Sequence, residues 1–110
     1  MTDAFFSYAR QNLDRVKSMV DALRSEGFSI YFDVDLKVGN NYIIELNERL
    51  RDAQAIIVAW SKVSTRSRWV LSEAMFGFNR NVLVPILIEE DVDLPVPFNG
   101  IHTHHLHHRM

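Results

Sequence analysis

The feature that most constrains this chain is a regular change in the spacing of its apolar residues. Four short segments have the alternating or continuous apolar character of strands, at residues 4–8, 28–32, 55–60 and 82–88. Three segments between them carry apolar residues three or four positions apart, as one face of a helix does, at residues 13–23, 43–53 and 67–79. The sequence therefore predicts strands and helices in alternation, beginning and ending with a strand.

This alternation predicts an α/β fold with a parallel sheet, because each helix must connect two parallel strands and cover a face of the sheet. The run Ala55–Trp60 is apolar throughout, as in a strand buried on both faces, and we expect it to be the central strand. Pro85 cannot donate to a strand ladder, so the fourth strand is expected to have an edge or bulged position there. Asn12 and Ser67 are expected to cap the first and third helices. No helix or strand is predicted for residues 98–110.

The composition excludes several classes of function. The chain has 110 residues, which suits one domain, and no cysteine, which excludes a disulfide framework and thiolate metal sites. Its longest apolar run is too short to cross a membrane, and its first residues lack the features of a signal peptide. The formal net charge is -2 and the basic residues are scattered, which disfavours a nucleic-acid partner. We expect a cytoplasmic protein with no membrane partner.

The predicted topology also indicates where a ligand would bind. In parallel α/β sheets, ligands bind beyond the carboxyl ends of the strands, where the strand order reverses. In this chain those ends bring a hydroxyl, a phenol, a guanidinium, a carboxylate and an indole to one rim: Ser7, Tyr8, Arg10, Asp33 and Trp60. These residues are the first candidates for a binding site.

The motifs of common nucleotide-binding folds are missing from the sequence. Its 4 glycines are too widely spaced for a dinucleotide-binding fingerprint or a phosphate-binding loop. A phospho-accepting receiver domain shares the order of elements, but it needs acidic residues after its first strand, where this chain has Ser7 and Tyr8. A flavin carrier of flavodoxin type stays open. The 5 histidines between His102 and His108 have irregular spacings and no accompanying carboxylates, so we expect no metal site.

Trp69 and Glu73 form a further candidate pair on the third predicted helix. They are four residues apart and therefore lie on one face, close to the carboxyl end of the third strand. Spacing alone suits two interpretations. The pair can face the ligand rim, or it can be a covered surface tryptophan beside a solvated glutamate.

Several segments taken together resemble the TIR (Toll/interleukin-1 receptor) domain, and are most similar to its bacterial members. The matching segments, in order, are residues 4–9, 32–39, 59–61, 67–73, 84–86 and 98–101. They include a first-strand box (AFFSYA), a long interaction loop, and a tryptophan-x-x-x-glutamate helix formed by Trp69 and Glu73. The resemblance extends over residues 3–101, and residues 102–110 are expected to be a histidine-rich tail that is disordered or truncated.

The resemblance implies a flavodoxin-like three-layer sandwich and, as in enzymatic members, cleavage of the bond between nicotinamide and ribose in NAD+. Glu73 matches the family's catalytic glutamate, and NAD+ is then a substrate, with no cofactor required. The loop Asp35–Asn41 matches the segment through which TIR domains assemble, so activation by other TIR domains is expected. A fused or associated sensor domain and bacterial immune or anti-phage signalling are further implications. The alternative is a non-catalytic TIR scaffold.

The other candidates have expected roles around NAD+. Three aromatic side chains offer flat surfaces for the nicotinamide or adenine ring: Trp60, Trp69 and Tyr8. Ser7 is assigned to substrate binding beside them, and Arg10 offers a bidentate donor for the pyrophosphate. Trp60 equally suits a packing role at the end of the central strand, and Arg10 equally suits an ordinary surface position. Asp33 could bond ribose but is better suited to holding the loop.

The chain departs from the family pattern after residue 101. TIR domains usually continue there through a short strand into a closing helix, whereas residues 102–110 show no amphipathic helical pattern. The terminal helix is therefore expected to be missing. Either a partner or a further domain completes the fold, or the sequence is an excised fragment.

Overall fold

A five-stranded parallel sheet organises the computed structural model of the chain, which describes residues 2–32, 40–100 and 104–105. The strands are β1 (Ala4–Ser7), β2 (Ile30–Tyr31), β3 (Ala55–Trp60), β4 (Leu83–Leu87) and β5 (His104–His105). Their spatial order is β2-β1-β3-β4-β5, and every neighbouring pair is parallel. The predicted parallel sheet is confirmed, and β3 is its central strand.

Among the described residues, three helices connect the first four strands, as the apolar spacing predicts. They are α1 (Leu13–Ser25), α2 (Asn40–Asp52) and α3 (Arg68–Asn79). Short 3-10 turns precede α1 and α3, at Arg10–Asn12 and Ser64–Arg66, and a third lies at Phe98–Gly100. The order of elements and the sheet give the flavodoxin-like α/β fold expected from the sequence.

The helices lie on opposite faces of the sheet and so produce two apolar cores. On one face, Val16 and Val20 of α1 pack against β1, β3 and β4. On the other face, α2 contributes Leu46 and Leu50, and α3 contributes Val70 and Ala74. Alternate residues of each strand point to opposite faces, which is why Phe5 belongs to the second core and Phe6 to the first. The result is the predicted three-layer sandwich.

The position of α3 depends on a close approach between a helix and a strand. A Cβ atom at Gly77 would lie 2.9 Å from Cβ of Ile56 on β3, closer than side chains tolerate. The absence of a side chain at Gly77 therefore lets α3 pack directly on the central strand. At the start of α3, Ser67 Oγ accepts a hydrogen bond from Val70 N at 3.2 Å, which confirms the predicted cap.

Two predictions about the first half of the chain are wrong in detail. Asn12 does not cap α1 with its side chain; its Oδ1 accepts a hydrogen bond from Ser61 Oγ at 2.7 Å. The second strand is shorter than predicted, because Gly27 (φ 97°) and Phe28 belong to the turn that ends α1. Phe28 N donates to Leu23 O at 3.2 Å, so this residue closes the helix instead of extending the strand.

Pro85 lies inside β4, which pairs with strands on both sides and is therefore not an edge strand. Ile88 N donates to Trp60 O, so the even-numbered residues of this segment direct their amides towards β3. Pro85 thus faces the other side, where the described residues of β5 pair with Ile86 and Leu87. The missing donor therefore costs no ladder bond to β3 or to the described residues of β5. The sequence did not predict β5, because two residues carry no periodicity.

None of the described helices is both long enough and apolar enough to cross a membrane.

Candidate active site

The candidate site lies at the carboxyl end of β1, the strand beside which the order of the sheet reverses. This is the position at which parallel α/β sheets bind ligands. A cavity of about 10 Å³ opens there, which has room for about one water molecule. Its walls come from β1, β2, α2 and α3, and the lining residues are Phe5, Phe6, Tyr8, Tyr31, Tyr42, Leu46, Trp69 and Glu73.

Glu73 is the carboxylate of this cavity, and it is buried. Only 4% of its surface is exposed, although it lies in the middle of α3. Its Oε1 accepts a hydrogen bond from Ser7 Oγ at 2.5 Å, which joins α3 to the end of β1. A buried carboxylate is costly unless it is hydrogen-bonded. The described residues that line the cavity include no second carboxylate and no basic side chain.

Burial controls the acidity of Glu73. Removal from water disfavours the ionised form and raises its pKa from the ordinary value of 4.5 to about 8. Hydrogen bonds from Ser7 and Trp69 act in the opposite direction and lower the pKa, but they do not cancel the effect of burial. A strongly perturbed acid in an aromatic cavity is typical of functional sites.

Trp69 lies over the same cavity and is half-buried. It lies one helical turn before Glu73 on the same face of α3, and its indole lowers the pKa of that carboxyl group. Its indole is stacked on Tyr42 of α2, with 6.3 Å between ring centroids and 11° between ring planes. The structure therefore brings Trp69 and Glu73 together at the cavity, and it contradicts the alternative of a solvated glutamate.

The remaining candidates fall in different places. Tyr8 lines the cavity and packs on Phe32 at 4.9 Å, and Ser7 lies behind the cavity against Glu73. Arg10 is exposed on the turn before α1 and does not line the cavity, which favours its interpretation as a surface residue. Asp33 and most of the loop Asp35–Asn41 lie outside the described residues.

Trp60 is placed in the core and not on the ligand-facing rim, which corrects the expectation that its ring stacks on substrate. It is fully buried and does not line the cavity. Its ring packs on Phe98, with centroids 5.3 Å apart. The side chain therefore closes the end of the central strand, the alternative that the sequence left open.

Sequence reasoning missed two aromatic walls of the cavity, Tyr42 and Tyr31. Tyr42 is four residues before Leu46 and so shares its buried face of α2, a signal that the spacing of apolar residues contained. Tyr31 stacks on Phe5 at 5.2 Å, and the guanidinium of Arg49 lies 5.5 Å from the Tyr31 ring centroid. These contacts of Tyr31 with Phe5 and Arg49 join residues that are distant in the sequence, so no local sequence pattern predicts them.

The arrangement offers one carboxylate within aromatic walls. Such a site can accept hydrogen bonds from hydroxyl groups, stabilise a developing cation and stack on a flat ring. Within the described ranges, no group of three or more histidine, aspartate or glutamate side chains could hold a metal ion.

Comparison with known proteins agrees with this architecture. In the first of three similar structures, the TIR domain of the Toll-related receptor TRR-2 from Hydra magnipapillata, the match has a TM-score of 0.86 at 15% identity. It covers 99% of this chain and 87% of that one.

The second is a TIR-STING receptor from C. gigas in complex with 2',3'-cGAMP, with a TM-score of 0.77 and 25% identity. The match covers 94% of this chain and 34% of the receptor. The third comprises the TIR domains of the activated Roq1 resistosome, which recognises the pathogen effector XopQ, with a TM-score of 0.67 and 22% identity. That match covers 81% of this chain and 60% of the other.

No curated protein sequence matches the chain. A family model described as the TIR domain matches residues 4–109, nearly the whole sequence. This match extends through β5, whereas the division of the chain at residue 101 stays a prediction. The chain belongs to the TIR domain family.

Proposed function

We propose that this TIR domain is an NAD+ glycohydrolase that releases nicotinamide and forms ADP-ribose or a cyclic ADP-ribose isomer. The observation that carries the proposal is Glu73, a buried carboxylate that lies beside Trp69 in an aromatic cavity. The location of the cavity at the carboxyl end of β1 supports the proposal, because parallel α/β sheets bind ligands at that edge. Family membership supports the proposal, since TIR domains include members that cleave NAD+.

The chemistry needs only one carboxylate. The bond between C1' of ribose and the pyridinium nitrogen breaks, and its electron pair neutralises the positive charge of the leaving nicotinamide. No proton has to be delivered to the leaving group, in contrast to ordinary glycoside hydrolysis. A water molecule then attacks C1' and loses a proton, which gives ADP-ribose; attack by a nitrogen of the adenine gives a cyclic product.

In this mechanism Glu73 stabilises the ribose as it becomes cation-like. An ionised carboxylate accepts hydrogen bonds from ribose hydroxyls and faces the developing positive charge. Trp69 and Tyr8 provide flat surfaces for the rings of the substrate. Because only the ionised acid acts, the rate should rise as pH approaches and passes about 8, the pKa of Glu73.

The cavity must enlarge before NAD+ can enter. Its volume of about 10 Å³ is far below the roughly 300 Å³ or more that small-molecule sites provide. We propose that contact with other TIR domains, through the loop Asp35–Asn41, accompanies this opening. The Roq1 neighbour, whose TIR domains belong to an activated assembly, supports a link between assembly and activity.

The cellular setting that we propose is bacterial immune or anti-phage signalling in the cytoplasm, with a sensor domain fused to or associated with this domain. Two of the similar structures support a multidomain setting. This chain matches only 34% of the TIR-STING chain and 60% of the Roq1 chain.

The test is to incubate concentrated protein with NAD+ and to measure free nicotinamide by chromatography. We expect activity in the wild type and a loss of about 100-fold or more in Glu73→Gln, as for other groups that stabilise transition-state charge. The matched control is Glu48→Gln, which removes an exposed carboxylate from α2 and should leave the rate unchanged. Equal rates in wild type and Glu73→Gln would exclude Glu73 as the catalytic group.

A non-catalytic scaffold is the second candidate, and the small volume of the cavity favours it. A domain that only binds other TIR domains needs no space for substrate beside Glu73. If wild type and Glu73→Gln release no nicotinamide under conditions in which the domains self-associate, the scaffold is the better assignment.

A further inference from the structure

The contact between Ser7 and Glu73 has a geometry that ordinary substrate binding does not explain. Ser7 is 1% exposed and Glu73 is 4% exposed, so the bond between them is closed off from solvent. The hydroxyl of Ser7 donates to Oε1 of Glu73 at 2.5 Å. The hydroxyl is therefore engaged with the carboxylate instead of facing an incoming ligand.

The two partners come from the two elements that create the site. Ser7 is the last residue of β1, in a strand whose four residues are all buried, and Glu73 lies at the centre of α3. A side chain on a packed strand has little freedom, which makes it a rigid anchor for the more extended glutamate. This anchor would fix one carboxylate oxygen relative to the sheet.

We propose that Ser7 is a positioning residue, which acts through Glu73 by donating a hydrogen bond to Oε1 and holding the carboxylate in one orientation at the cavity. The inference rests on the proposed NAD+ glycohydrolase function, and it replaces the assignment of Ser7 to substrate binding. Ser7 thus contributes to the reaction without touching NAD+.

The same bond affects the ionisation of Glu73. Its described surroundings contain the phenols of Tyr8, Tyr31 and Tyr42, the indole of Trp69 and, beyond Tyr31, the guanidinium of Arg49. The causes of the shifted pKa are burial, which raises it, and the side chains of Ser7 and Trp69, which lower it. Removing the hydroxyl should therefore favour the protonated acid.

The experiment titrates Glu73 directly in the intact chain. Wild type and Ser7→Ala are labelled with carbon-13 in the glutamate carboxyl groups, and the signal of Glu73 is assigned by its absence in Glu73→Gln. We expect Ser7→Ala to raise the pKa of Glu73 by about one unit, as loss of a hydrogen bond to a charged group should. The pH dependence of nicotinamide release should shift upwards by the same amount, with a roughly tenfold lower rate at pH 7.

Ser61→Ala is the matched control. Ser61 follows the neighbouring strand β3 and is fully buried, but its hydroxyl donates to Asn12 at 2.7 Å and does not contact Glu73. The Ser61 hydroxyl also accepts a hydrogen bond from Ser64 N at 3.0 Å, so the melting temperature of this variant measures the structural cost of losing a buried, bonded hydroxyl away from Glu73. We expect the titration of Glu73 to be unchanged in it.

The outcomes separate the two proposals. A wild type that releases no nicotinamide contradicts the proposed function, while the titration still tests the bond from Ser7. If the titration of Glu73 is unchanged in Ser7→Ala, or moves equally in Ser61→Ala, the role of Ser7 is overturned. It is also overturned if the titration moves but the pH dependence of an active enzyme does not.

Discussion

At the scale of single residues, the burial of Glu73 carries a cost in stability. A buried acid with a pKa of about 8 prefers to hold its proton in the folded state, where the unfolded chain releases it near 4.5. The stabilising effect of this proton is fully present below pH 4.5 and is lost as pH rises through 8. Glu73 therefore lowers the free energy of unfolding of the wild type most strongly at alkaline pH.

This linkage predicts a stabilising substitution at the candidate catalytic position. Glu73→Gln keeps the shape and an oxygen that can accept from Ser7, but it cannot ionise. We expect it to raise the free energy of unfolding at pH 9 by roughly 3 to 5 kcal/mol, and by little at pH 4.5. Urea denaturation at the two pH values measures the difference. A gain that is equal at both values would mean that the carboxyl group is not perturbed by burial.

At the scale of elements, the site depends on how closely α3 packs on the sheet. Gly77 and Glu73 are four residues apart on α3, so a change in spacing at Gly77 is transmitted along the same helix. The sequence predicts α3 from the positions of its apolar residues, but the approach of Gly77 to Ile56 is a tertiary contact. The distance between Gly77 and Ile56 is therefore known only from the folded structure.

Gly77→Ala tests this packing. The added Cβ would lie 2.9 Å from Cβ of Ile56, so the helix or the strand must shift. We expect a loss of about 1 to 3 kcal/mol in the free energy of unfolding, as for other overpacked cores, and lower NAD+ cleavage, because Glu73 moves with the helix.

Gly100→Ala is the control for Gly77→Ala, since a Cβ atom at Gly100 meets nothing within 4 Å. Its stability in urea should equal that of the wild type. Equal stability of both alanine variants would show that α3 does not need the close approach.

At the scale of the whole molecule, the fold was predictable and the site only partly so. Strands and helices follow from apolar spacing, and the strand ends place Ser7 and Tyr8 near the cavity, because the topology of a parallel sheet fixes that edge. Trp60 also ends a strand, yet it turns into the core against Phe98. The direction in which a strand-end side chain packs depends on tertiary neighbours, which the spacing does not specify.

The small volume of the cavity leads to a prediction for the assembled protein. If contact between TIR domains accompanies its opening, the rate of nicotinamide release per molecule should rise with protein concentration, because the competent state is only rarely populated in the monomer. Initial rates measured over a wide range of concentrations test this. A rate that stays strictly proportional to protein concentration would show that single domains open unaided.

The chain has 2 tryptophans, and they occupy contrasting environments. Trp60 is enclosed, and its indole nitrogen lacks a hydrogen-bond partner among the described residues, whereas Trp69 lies at the cavity against Tyr42. The intrinsic fluorescence therefore has two components. The emission of the enclosed Trp60 should change only on unfolding, whereas the emission of Trp69 should change when a ligand binds in the cavity. Replacing either indole with phenylalanine would isolate the other signal, so that binding and denaturation can be followed in a single unlabelled sample.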